Sequence, residues 1–169
     1  QNPLLLEQNI SYILINLIVY LSFLLKLYKT KEKIKYMNVG IIRYPGSNCD
    51  IETLNYFGDL GKSFYIWHNN SDLSVLDDLN LLVLPGGFAF GDRVYDKATN
   101  EYNISPGTMA LLSPVSKVIN EAVERKIPII GICNGFQILT QMKLLPGKLE
   151  LNTSKKFECK KVICNIFFD

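Results

Sequence analysis

From Met37 onward, apolar positions fall into short runs that end in turn residues, and stretches with helical spacing separate them. Asn38 to Tyr44 (NVGIIRY) predicts a strand stopped by Pro45-Gly46. Ser47, Asn48 and Asp50 follow as cap residues, and Ile51, Leu54 and Phe57 open a helix that Gly58 or Gly61 closes. Ser63 to Trp67 predicts a second strand ending at His68-Asn69-Asn70. Leu79 to Leu84 predicts a third, apolar apart from Asn80 and broken by Pro85-Gly86-Gly87. Residues 92–113 are polar and lack periodicity, which predicts a long surface loop. Pro114 then starts a helix with Val118, Ile119, Ala122 and Val123 on one face. Ile127 to Ile132 reads as a buried parallel strand. It stops at Cys133, and Phe136, Ile138, Leu139 and Met142 resume helical spacing. Leu144-Leu145-Pro146-Gly147 is a turn, and Phe157 to Phe168 predicts one or two further strands.

This alternation predicts an α/β fold, a doubly wound and mostly parallel sheet with helices on both faces. In such sheets sites gather at the carboxyl ends of the strands. Three of those ends carry unusual turns: Pro45-Gly46-Ser47-Asn48, Pro85-Gly86-Gly87-Phe88, and the turn at Cys133. Their convergence on one rim is the main argument for a functional site.

Residues 1–36 have a different composition. Ile10 to Leu25 is apolar apart from Ser11, Asn16 and Ser22, and Lys26, Lys29, Lys31, Lys33 and Lys35 follow. A run of about 19 residues, from Ile10 to Tyr28, is long enough to cross a bilayer. Lysines after the span would leave the globular part in the cytoplasm. A cleavable signal fits poorly, because the charges follow the apolar run. The segment begins with Gln and ends just before Met37, so read-through upstream of the true start stands as the alternative to an anchor.

The net charge of +2 on 169 residues, with no basic footprint outside that segment, does not indicate a nucleic-acid surface. Four cysteines (Cys49, Cys133, Cys159, Cys164) form no CxxC pair, and the chain has one histidine. Neither zinc nor a disulfide framework is indicated, and reduced thiols in the cytosol are the simpler reading.

Gly131-Ile132-Cys133-Asn134-Gly135 has the Gly-x-nucleophile-x-Gly form of the elbow known from serine hydrolases. Small residues on either side let the backbone turn sharply, and the positive end of the following helix faces the sulfur. The alternative is that Cys133 is a small buried apolar residue. A thiol that attacks a carbonyl needs donors for the oxyanion, and the amides of Gly87 and Asn134 could supply two. Gln137 lies one helical turn beyond Cys133 and could reach the same substrate. The alternatives are an ordinary strand-ending turn for the glycines and a solvated helix residue for Gln137. A base is also needed, and His68 reads better as a polar residue at a strand terminus.

PGSNCD (45–50), WH (67–68), LPGGFAFGD (84–92), GICNGFQIL (131–139), LLPG (144–147) and NTSKKFECK (152–160) occur in order. Together they resemble the glutaminase subunits of phosphoribosylformylglycinamidine synthase, which are class I (triad-type) glutamine amidotransferases of flavodoxin-like fold. The resemblance covers Met37 to about Ile166. It implies an amidotransferase domain over 37–169, beside which the compositionally distinct residues 1–36 form an N-terminal extension. It implies that Cys133 is a nucleophile that forms a glutamyl thioester. It places Gly87 and Asn134 in the oxyanion hole, and Gly86, Gln137, Asn152, Ser154 and Phe157 at the glutamine. Ammonia would pass to a large synthetase subunit, accompanied in some assemblies by a small accessory subunit, where ATP and Mg act. No cofactor is implied on this chain, and the implied location is the cytoplasm.

Two features depart from the pattern. The family's His and Glu, two residues apart, lie downstream of the last matched motif, and no His-x-Glu occurs before Asp169. On that basis the domain reads as incomplete at its C-terminus. Arg93 to Leu112 is longer than the family form and could reshape the synthetase contact or the mouth of the site. A non-catalytic binding or regulatory module on the same fold stands as the alternative function. Another Cys enzyme, such as a peptidase or chaperone-like relative, is disfavoured by the GGF and N-x-S-x-K-F runs.

Overall fold

The computed structural model describes residues 37–91, the backbone of 95–96 and 101–102, and residues 106–150 and 152–154. The predicted span at 10–28, the strands expected within 157–168, and Phe157 lie outside the described residues. Among the described residues, no helix is long and apolar enough to cross a membrane.

Strands β1 (Met37–Arg43), β2 (Gly61–Trp67), β3 (Leu81–Leu84) and β6 (Ile129–Gly131) form one parallel sheet in the order β2-β1-β3-β6. Each crossover runs through helical structure: α1 (Asp50–Gly58), a 3-10 turn (Leu73–Leu76), and α2 (Val115–Glu124). Helix α3 (Asn134–Gln141) follows β6. Alternation along the strands sorts the core into two layers. Ile42, Leu82 and Leu84 pack with Val115, Val118, Ile119, Ile138 and Leu139, so α2 and α3 cover one face. Val39, Ile41, Leu81 and Val83 pack with Phe57 of α1 on the other. Strand order reverses between β1 and β3, which puts the topological switch point at their carboxyl ends, where open α/β sheets bind ligands.

The α/β reading of the sequence agrees with this architecture, and three details differ. Helix α1 is capped at Cys49 with no side-chain cap. Ser47 Oγ instead accepts from Tyr44 N, closing the strand-end turn, and the Asp50 carboxylate pairs with Arg43. Val123 stands 40% exposed, because the apolar stripe of α2 is completed by Val115. The expected loop at 92–113 holds a two-stranded antiparallel ladder, β4 (Tyr95–Asp96) with β5 (Glu101–Tyr102), and a 3-10 turn, Thr108–Leu112. Gly107 begins that turn with its Cα against the backbone of Gln137 and Ile138, so tertiary contact shapes a stretch that has no period of its own.

Tyr44 ends β1 buried, its ring edge-on to Phe90, and its hydroxyl finds no hydrogen-bond partner among the described residues. Burial pushes its phenol well above the ordinary tyrosine value. Above about pH 10 the unfolded chain therefore binds fewer protons than the folded one, and stability falls as pH rises. Tyr44→Phe is expected to raise unfolding free energy by about 1 kcal/mol at neutral pH and to reduce the alkaline loss. Urea titrations at neutral and alkaline pH check both; an unchanged alkaline slope would contradict the assignment.

Candidate active site

Strand β6 ends against β3, with Ile132 N donating to Leu84 O at 2.9 Å. Helix α3 starts two residues later, so the chain must reverse within Cys133. Its backbone takes φ 52 and ψ −108, a combination L-residues avoid and one that costs about 1–3 kcal/mol. Gly135 N donates to Ile132 O at 2.9 Å and Gln137 N to Cys133 O at 3.2 Å, which hold the turn closed. The glycines permit it. A Cβ on Gly135 would sit 2.0 Å from Leu84 O, and one on Gly131 would sit 2.8 Å from the Gly135 carbonyl. The sulfur-bearing residue is exposed at the rim, not packed into either core layer.

The loop after β3 meets the loop after β1 through backbone alone. Phe88 N donates to Gly46 O (2.9 Å), Phe90 N to Pro45 O (2.6 Å), and Cys49 N to Gly86 O (3.4 Å). Gly86 lies directly against the nucleophile candidate, since a Cβ there would be 3.4 Å from Cys133 Cβ. Gly87 has φ +127, and a Cβ on it would be 2.5 Å from Asn48 N, so the two loops close only around glycine. The Gly86 carbonyl and the Gly87 N–H share one trans peptide and point to opposite sides. With the carbonyl committed to Cys49, the Gly87 N–H faces away from it and donates to no acceptor among the described residues. That is an available donor next to the thiol residue.

Asn134 is 2% exposed. Its Oδ1 accepts from Ala89 N at 3.0 Å and its Nδ2 donates to Gln137 Oε1 at 3.0 Å. The structure thus brings Gly86, Gly87, Cys133, Asn134 and Gln137 together. Asn152 and Ser154 stand exposed in the 152–154 turn, and Phe157 lies outside the described residues. His68 belongs to the far edge of the sheet. Three strand spacings separate β2 from β6, roughly 14 Å, beyond hydrogen-bond reach. Its carbonyl accepts from Val115 N and Ser113 Oγ, and its ring stands edge-on to Phe90 at 5.3 Å. His68 is a structural residue at a strand terminus.

Sequence reasoning placed Asn48 in a rim turn but gave no separate role to Cys49 or Ala89. Cys49 Sγ and Cys133 Cβ flank Gly86, at 3.7 and 3.4 Å from the position a Cβ would take. The turns that carry them were expected at one rim, but nothing local says that PGSNCD and PGGFAF interlock.

Comparison with known proteins gives the chain's family and fold relatives. Residues 36–167 match the family model described as the CobB/CobQ-like glutamine amidotransferase domain. The protein named phosphoribosylformylglycinamidine synthase subunit PurQ of Methanopyrus kandleri is 35% identical over 133 residues, covering 77% of this chain and 52% of the relative. The protein of the same name from Chlorobium chlorochromatii is 40% identical over 125 residues, covering 73% and 48%. Among solved structures, that titled Structure of PurLQS from Thermotoga maritima superposes with TM-score 0.60 at 36% identity, covering 74% of this chain and 53% of that one. The chain spans about half the length of the curated relatives it matches. The elbow, the interlocked glycine loop and the match over most of the sequence lead to one conclusion: the chain belongs to the CobB/CobQ-like glutamine amidotransferase family.

Proposed function

We propose that the chain supplies ammonia by hydrolysing glutamine, as the glutaminase part of a phosphoribosylformylglycinamidine synthase. The observation that carries this reading is the exposed residue Cys133, on a strained elbow against Gly86, with the Gly87 N–H beside it uncommitted among the described residues. The Cys133 thiolate adds to the side-chain amide carbon of glutamine, and the carbonyl electrons move to oxygen. The amides of Gly87 and Asn134 hold that oxyanion. Its collapse, with a proton taken from solvent onto nitrogen, expels ammonia and leaves a glutamyl thioester. Water then attacks the thioester, releasing glutamate, restoring the thiolate and returning protons to solvent.

The names of the relatives support a partner. Ammonia would pass to a large synthetase subunit, with a small accessory subunit in some assemblies, and convert formylglycinamide ribonucleotide to the amidine. ATP and Mg would belong to that synthetase, and the reaction would run in the cytoplasm. The alternative is a non-catalytic binding or regulatory module on the same fold.

The test is ammonia release from glutamine by the chain assembled with its synthetase subunit, followed by a coupled assay and compared with Cys133→Ala. Glutamine-dependent release that Cys133→Ala removes is the expected result. Equal rates for the two proteins would select the binding module.

A further inference from the structure

Resting on the glutaminase reading, we propose that Asn134 is a positioning residue: it sets which end of the Gln137 side-chain amide is offered to the substrate. The argument runs along a chain of hydrogen bonds with one fixed end. A backbone N–H can only donate, so Ala89 N, at 3.0 Å, requires the oxygen of the Asn134 side chain. That leaves the Asn134 NH2 group directed at Gln137. An NH2 group also can only donate, so its neighbour at 3.0 Å must be Gln137 Oε1. The Gln137 oxygen is thereby occupied, and its Nε2 is the end left for a ligand. Gln137 is half-buried on the first turn of α3, whose backbone bond to Cys133 O ties it to the elbow.

The arrangement commits Gln137 to a hydrogen-bond acceptor on the substrate, a carboxylate or carbonyl oxygen of the amino acid. It also couples the glycine loop to substrate recognition. Ala89 lies two residues past Gly87, so a shift of that loop would release Asn134 and let the Gln137 amide turn over. Near-complete burial of Asn134 keeps water from substituting for either partner.

Asn134→Asp keeps an oxygen for Ala89 N but replaces the donor facing Gln137 with an acceptor. The Gln137 amide then turns over and presents its oxygen to the site. The measurement is protection of Cys133 from iodoacetamide by L-glutamine, read by mass spectrometry on the peptide that carries Cys133 so that Cys49 does not interfere. It requires no turnover.

The half-protecting glutamine concentration is expected to rise about tenfold in Asn134→Asp and about threefold in Asn134→Ala, where the amide is only released. Each variant's protection is read relative to its own alkylation rate without glutamine, so a change in thiol reactivity caused by a carboxylate beside Cys133 cancels. Against a Gln137→Ala background, Asn134→Asp should add little, because its effect passes through that side chain. Unchanged protection in both Asn134 variants would overturn the proposal, as would the same fold-loss with and without Gln137. Failure of glutamine to protect the unaltered protein would instead overturn the glutaminase reading and this proposal with it.

Discussion

Cys133→Ser is expected to lower glutamine-dependent ammonia release by about 10⁴-fold or more while leaving the unfolding free energy within about 0.5 kcal/mol of wild type. Serine preserves size and backbone, so the loss isolates the chemistry. A hydroxyl at this position would need strong general-base help to attack an amide, and His68 is held at the opposite edge of the sheet. The companion change is Cys133→Gly, which removes the same thiol and also relieves the backbone. With φ 52 and ψ −108 at a residue carrying a Cβ, relief of about 1–3 kcal/mol is offset by about 0.5–1 kcal/mol of glycine's unfolded-state entropy. Cys133→Gly should therefore be inactive yet more stable by about 1 kcal/mol, as a shift of the urea midpoint. Equal or lower stability would mean that the elbow stores no strain.

The second large effect is on the fold itself. Gly135→Ala is expected to destabilise by about 4 kcal/mol or more and to leave little folded protein at 37 °C. The added carbon would lie 2.0 Å from Leu84 O and 2.8 Å from Leu84 Cβ, and neither can yield. Leu84 O accepts from Ile132 N and Leu84 is fully buried between β1 and β6, so relief requires α3 to lift off β3. That movement would open the layer holding Ile138 and Leu139 and separate Asn134 from Ala89. Circular dichroism during a urea titration, with the glutamine protection assay alongside, measures both losses. A folded Gly135→Ala protein whose Cys133 is still protected by glutamine would contradict the packing described here.

Particular residues show what could be read in advance. Leu81 to Leu84 is a strand in isolation because four successive apolar side chains suit a strand buried on both faces. Gly131 and Gly135 announce a tight turn because few other reasons place glycines two residues either side of a cysteine at a strand end. The cap of α1 misled because Ser47 and Asp50, good cap residues, are spent on Tyr44 N and Arg43. Gln137 was legible as a polar residue one turn from the thiol, but the orientation of its amide was not. That depends on Ala89, 45 positions from Asn134 in sequence.

The order of apolar runs, turns and helical spacings along the chain was enough to determine the α/β class and the sharp turn at Cys133. Those features depend on near neighbours, and periodicity records near neighbours directly. Which strand lies beside which, and therefore that the glycine loop meets Cys133 while His68 stands across the sheet, was decided only by the tertiary structure. The physical reason is that strand order and loop closure depend on hydrogen bonds and packing between segments tens of residues apart, and no local pattern encodes them.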